Sequence, residues 1–136
     1  MAVLNLTRST SAVVSEGADL VFYRRLYVDS SGTLTPITQA LTSTVTYKVF
    51  DNPTATTPSA TGSLVVATVI FDTLQTGTVW TTFADSTGYN FRAIMARSLF
   101  PDGNKRYTVE ITVTLTSGYQ FPVVFEIETA LNLQGE

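Results

Sequence analysis

The stretch SLFPDGNKRYTVEITVTL, residues 98–115, decides the fold. From Tyr107 onward, Tyr107, Val109, Ile111, Val113 and Leu115 fall on one side of an extended chain, and Thr108, Glu110, Thr112 and Thr114 on the other. That period of two is the mark of a half-buried strand. After the turn signal of Thr116, Ser117 and Gly118, the alternation resumes with Phe121, Val123, Phe125 and Ile127 inward and Val124, Glu126 and Glu128 outward. The two runs read as a hairpin. A tyrosine just behind a Pro-Asp-Gly turn, at the head of the first run, calls for a separate explanation.

Composition sets the frame around this hairpin. A chain of 136 residues has the length of one domain and buries roughly two thirds of its unfolded surface without a covalent staple. We therefore expect a single domain over 1–136. Charged residues make up 14% and hydrophobic ones 44%, and threonine, a good strand former, recurs throughout. This balance favours an all-β globular chain over disorder or a helical bundle. A net charge of −3, with arginines that form no stripe, argues against nucleic acid as a partner. The absence of cysteine removes disulfides and thiolate metal sites and fits synthesis in a reducing cytosol. MAVLNLTRSTSAVV carries no apolar core of signal-peptide length, and no run is long enough to span a bilayer, so neither a signal peptide nor a membrane partner is expected.

Along the chain, strand signals alternate with turn chemistry. Short strands are expected around Val3 to Leu6 and Ala12 to Val14. ADLVFYRRLYV then reads as a strong strand in which Leu20, Phe22, Leu26 and Val28 alternate correctly but Arg24 lands on the apolar face. A bulge near Arg24 would repair that register. Asp29 to Gly32 makes a turn, and Val45, Tyr47 and Val49 alternate with Thr44, Thr46 and Lys48. Residues 51–63, DNPTATTPSATGS, read as a long polar loop. SLVVATVIF, residues 63–71, is apolar on both faces and reads as a covered strand or a buried helical turn. Residues 78–83 and 89–95 are further strand candidates, the second with Tyr89, Phe91, Ala93 and Met95 on one side.

About seven to eight short strands at such spacing predict two packed antiparallel sheets. LFPDGNKRYTV resembles the tyrosine corner of immunoglobulin-like β-sandwiches, in which a tyrosine at the start of the penultimate strand buries its ring and bonds its hydroxyl to backbone a few residues upstream. In this resemblance Leu99 is the apolar plug, Tyr107 the corner residue, and Val109 stands where antibody domains carry a cysteine. Trp80 does not sit on the strand where antibody domains place theirs, so kinship with antibodies is not implied. GADLVFYRRLYVDSSGTLTPITQALTSTVTYKVFDNP, with RYTVEITVTLTSGYQFPVVFEIET much later, resembles the small immunoglobulin-like domains of tailed-bacteriophage structural proteins, including the N-terminal domains of baseplate upper proteins. The likeness covers roughly residues 14 to 129 and carries over no catalytic residue. It implies a virion component assembled in the host cytoplasm, with other virion proteins as partners in a homo-oligomer or symmetric assembly.

The chemical inventory mostly excludes. With neither His nor Cys there is no Ser-His-Asp triad, no thiol nucleophile and no His-ligated zinc site. Glu126 and Glu128 share a strand face at about 7 Å, from a rise of roughly 3.4 Å per residue. They read as a solvated face or, less simply, as a paired acid and base. Asp29, Asp51, Asp72, Asp85 and Asp102 all lie at turns or strand ends, where backbone hydrogen bonding and calcium ligation both use carboxylates. No cofactor or metal is expected. Trp80 with Tyr23, Tyr27 and Tyr119 could stack on sugar, which gives the alternative of a carbohydrate-binding or adhesive module; Trp80 as a core anchor is the plainer reading. Arg24 and Arg25 are candidate partner contacts, and a protecting charge on an edge strand equally explains Arg25. Val3, Leu4 and Leu6 form either an extended arm over residues 1–10 that adds a strand to a neighbour or the first strand of their own sandwich. No enzyme is expected.

Overall fold

The computed structural model describes residues 2–5, 10–15, 20–75 and 88–130. Eleven strands occur among them: β1 (Ala2–Asn5), β2 (Thr10–Ser15), β3 (Leu20–Arg24), β4 (Leu26–Ser30), β5 (Thr33–Pro36), β6 (Thr42–Phe50), β7 (Ala60–Leu64), β8 (Ile70–Gln75), β9 (Tyr89–Met95), β10 (Lys105–Leu115) and β11 (Gln120–Ala130). The helical turn α1 (Val66–Val69) separates β7 from β8. The chain is all-β. The count exceeds seven to eight in part because Arg25 divides one long run into β3 and β4, which then join different sheets, and because β5 and most of β7 form where the sequence marks no strand.

β10 anchors the larger sheet, of order β2-β11-β10-β6-β7. Its hairpin with β11 runs in continuous antiparallel register from Lys105↔Thr129 to Thr114↔Gln120, and β6 covers its other side from Phe50 to Thr42. β2 joins β11 in parallel, beginning at Phe125↔Thr10. Pro122, which has no N–H to donate, lies before β2 begins, where a missing donor is tolerated. The other sheets have the orders β3-β9-β8 and β1-β4-β5.

One apolar core joins the inward faces. Val45 and Val49 of β6, Val109, Ile111 and Val113 of β10, and Val123, Phe125 and Ile127 of β11 meet Leu20 and Phe22 of β3 and Phe91, Ala93 and Met95 of β9. The Phe22 and Phe125 rings stack with centroids 4.0 Å apart, so the two layers touch directly. Packing of alternating inward residues from two facing sheets is the arrangement of a β-sandwich.

Local chemistry explains the turns. Between β4 and β5, Ser31 and Gly32 take φ of 53° and 86°, the pair of positive angles of a two-residue hairpin turn whose twist matches its strands. The Gly32 N–H donates to the Asp29 carboxylate at 2.9 Å.

Three sequence expectations need correction. Arg24 is not relieved by a bulge: Leu20, Phe22, Arg24, Leu26 and Val28 all face inward, and Arg24 is 3% exposed. The polar loop ends earlier than expected, because residues 60–63 belong to β7, paired with β6 from Val49↔Ala60 to Val45↔Leu64. Residues 63–71 are not one covered strand; the helical-turn alternative holds over Val66–Val69, between the end of β7 and the start of β8, and this turn buries Val69 alone.

Candidate interaction surface

Tyr107 is 1% exposed and sits at the third position of β10. The Asp102 N–H, five residues upstream, donates to its hydroxyl at 3.1 Å. Thr129 completes the latch: its hydroxyl donates to the Asp102 carbonyl at 2.7 Å and accepts from the Lys105 N–H at 3.0 Å. Phe100, fully buried, packs its ring edge-on to Tyr107 with centroids 5.3 Å apart, while Leu99 is only partly buried at the margin of the core. The plug against Tyr107 is thus Phe100, one residue later than the sequence reading placed it. Val109 is fully buried between Phe125 and Val49 in register.

At the middle of the β11 inward face lies Arg24. Its guanidinium carbon is 4.2 Å from the Phe125 ring centre, a cation–π distance. Its nitrogens donate to the Tyr23 carbonyl at 3.0 Å and the Val124 carbonyl at 3.4 Å, and its Nε has no partner. Burial pushes its pKa down to about 10, so it remains a cation held in the core at neutral pH. Arg25 donates to the Gly88 carbonyl at 2.8 Å and lies over the Tyr89 ring at 5.7 Å. Both arginines are engaged within their own chain.

Asn90 was not singled out from the sequence, and it ties three segments together. Its side chain is 1% exposed, accepts from the Leu26 N–H at 2.8 Å, and donates to the carbonyls of Leu26 at 2.8 Å and Ile37 at 3.1 Å. It holds the point where the chain leaves β3 for β4.

The outer face of the five-stranded sheet is open and polar. Register places Ser63, Thr46, Thr112 and Pro122 in one row across four strands and Thr61, Lys48, Glu110 and Val124 in the next. Lys48 thus stands opposite Glu110, and Arg106 opposite Glu128, so opposite charges neighbour one another and the central rows are hydroxyl-rich. Glu126 and Glu128 are exposed on this face. β7 closes the sheet with no further strand beside it among the described residues.

The remaining candidates are dispersed. Val3 and Leu4 lie in β1, paired with Val28 and Tyr27 of β4 in the same chain; Leu6, Trp80, Asp85 and residues 78–83 lie outside the described residues. Tyr23 packs against Tyr89 at 5.9 Å, and Tyr119 is exposed in the β10–β11 turn. Asp72 accepts from the Gln39 N–H at 2.8 Å, and Asp102 and Asp51 approach the Lys105 ammonium at 3.2 and 3.8 Å. With Asp29 bonded to Gly32, each described aspartate has a local use. Among the described residues no three acidic groups converge as a metal site would require. No protein-family model, curated protein or solved structure matches the chain.

Proposed function

We propose that the chain is a non-enzymatic structural protein with an immunoglobulin-like sandwich, a bacteriophage virion component that binds neighbouring subunits as a capsid decoration, neck or tail and baseplate accessory protein. Strand order supports the architecture. With β3 as strand B, β6 as C, β8 as D, β9 as E, β10 as F and β11 as G, the orders β3-β9-β8 and β11-β10-β6 follow the B-E-D and G-F-C sheets of that fold. β7 takes the extra place beside strand C that variable-type domains fill. Tyr107, at the start of β10 with its hydroxyl bonded to Asp102 upstream, stands where such domains have their corner tyrosine.

The observation that carries the role is the outer face of the five-stranded sheet: four aligned strands of hydroxyl-rich, charge-compensated surface ending in an open edge. Such a surface offers contact area and hydrogen bonding to another protein. The assignment to a virion rests on the resemblance of the sequence to phage structural domains, since fold alone fixes no function. Mass spectrometry of gradient-purified phage particles tests it. The expected result is this chain in a copy number that is a multiple of the particle's rotational symmetry; particles that lack it would overturn the proposal.

A further inference from the structure

The edge strands differ in how they are protected. An open edge presents unpaired N–H and C=O groups to any extended chain, and proteins blunt such edges with charge, proline or bulges. β5 ends in Pro36. β8 carries Asp72, and its pairing with β9 is irregular between Ile70 and Gln75. β7 has none of these: its sequence is ATGSL, and its register with β6 is unbroken over all five residues.

Its middle is also kept narrow. A Cβ on Gly62 would lie 2.5 Å from the Tyr47 hydroxyl oxygen and 2.6 Å from the ring, so the Tyr47 ring lies against bare backbone there. Thr61 and Ser63 turn to the open face and are exposed, while Ala60, Gly62 and Leu64 are half-buried on the core side. β7 is therefore free of bulges and uncharged, with one side of its backbone unpaired among the described residues.

We infer that β7 is a self-association site, pairing antiparallel with β7 of a second copy of this chain. The occupant follows from the sequence of the strand. A two-fold axis at Gly62 sets glycine opposite glycine, Thr61 opposite Ser63 of the second copy, and Ala60 opposite its Leu64. Hydroxyl faces hydroxyl on the open side and small faces large on the core side, with no like charges opposed, and such cross-strand pairs are favourable. A charged peptide would find no countercharge on ATGSL to select it. An isologous contact also consumes both edges and closes, joining two five-stranded sheets into one. This names the surface for the assembly reading of the previous subsection and rests on it only for its biological setting.

The chain has no cysteine, so single cysteines report register cleanly. Under mild oxidation, an equimolar mixture of Thr61→Cys and Ser63→Cys chains is expected to give disulfide-linked dimer several-fold faster than either variant alone, because only the mixed pair brings the two positions together. In sedimentation velocity the unmodified chain should dimerise with rising concentration. Ser63→Lys, which charges the edge at an exposed position, should weaken that dimer about tenfold with an unchanged circular dichroism spectrum. Equal cross-linking in the mixture and in the single variants overturns the register, and a dimer unaffected by Ser63→Lys overturns the site. A chain that is monomeric at every concentration yet present in phage particles overturns self-pairing and leaves the virion assignment standing; a β7-dependent dimer absent from particles does the reverse.

Discussion

Two places on the β11 inward face, its C-terminal end and its middle, handle buried polarity in opposite ways. At Thr129, the buried hydroxyls of Thr129 and Tyr107 meet backbone groups of the 102–105 turn, so each polar atom brought inside fixes a piece of chain. At Phe125 the guanidinium of Arg24 lies against an aromatic face, with two carbonyls as acceptors and its Nε unpaired. A hydrogen bond adds a modest net stabilisation when both partners are satisfied, and leaving a buried group unmade costs more than the bond contributes. The first arrangement therefore specifies geometry at small expense, and the second carries a desolvated charge that nothing nearby compensates in full. Asn90 belongs with the first kind and Arg24 with the second, although both sit near the point where β3 passes into β4.

The largest loss of stability is expected at Asn90. Asn90→Leu keeps the branched shape but leaves the Leu26 N–H and the Ile37 carbonyl without their partner; the Leu26 carbonyl still accepts from the Ile37 N–H at 3.0 Å. Two buried backbone groups orphaned at about 1–3 kcal/mol each give an expected loss of about 2–6 kcal/mol in urea unfolding. A loss below about 1 kcal/mol would show that Asn90 does not hold the sheet switch.

Tyr107→Phe is the next largest. It removes only the acceptor of the Asp102 N–H, a partly buried bond, so the expected loss is about 1–2 kcal/mol. Tyr119→Phe, at a residue 47% exposed, should leave the midpoint unchanged. Equal midpoints for the two variants would sink the role given to the Tyr107 hydroxyl.

How much of this was legible depended on whether the determining contact is local. The β10–β11 hairpin could be read outright, because the inward and outward sets of both strands and the turn between them lie in one continuous stretch. β9 was readable for the same reason, with Tyr89, Phe91, Ala93 and Met95 all buried. β7 was not: ATGSL has little strand preference of its own, and its pairing comes from β6, which lies across a polar loop. Arg24 was seen to break the pattern, but a residue that disturbs periodicity does not say whether the strand bulges or the charge goes inside. Phe100 and Leu99 are adjacent apolar residues, and only the path of the 97–100 turn chooses between them. Thr129 did leave a signal, since it continues the inward series of Phe121 to Ile127 as its only polar member; Asn90 left none.

The unsatisfied side of the comparison predicts a change of opposite sign. Arg24→Met retains an unbranched apolar stem over Phe125 and removes the buried cation, so stability should stay level or rise by up to about 1 kcal/mol. The pKa direction agrees: a folded value lowered by burial to about 10 means that the folded state binds this proton less tightly than the unfolded chain. The protonated form is thus disfavoured by folding at neutral pH, and the penalty is relieved only as pH rises through about 10. Arg24→Ala, which leaves the Phe125 face uncovered, should by contrast destabilise. A large fall for Arg24→Met in the same urea titration would mean that the guanidinium is a needed tie between β3 and β11.

The smallest effect is expected at Lys105, on the solvent side of the turn that Tyr107 and Thr129 hold. Its ammonium hydrogen-bonds Asp102 at 3.2 Å, with Asp51 at 3.8 Å, and the bond to Asp102 raises its pKa above the usual 10.5. A raised folded value contributes stability that is complete below the unfolded pKa and disappears as pH climbs through the folded one. The difference in unfolding midpoint between the unmodified chain and Lys105→Met should therefore be small and constant from neutral pH to about 10, then vanish above it. It should also shrink in molar salt, because an exposed pair is screened within a few ångströms under those conditions. A difference that persisted unchanged in strong salt and at alkaline pH would assign the contribution of Lys105 to its aliphatic stem, and would leave the turn held by its buried hydroxyls alone.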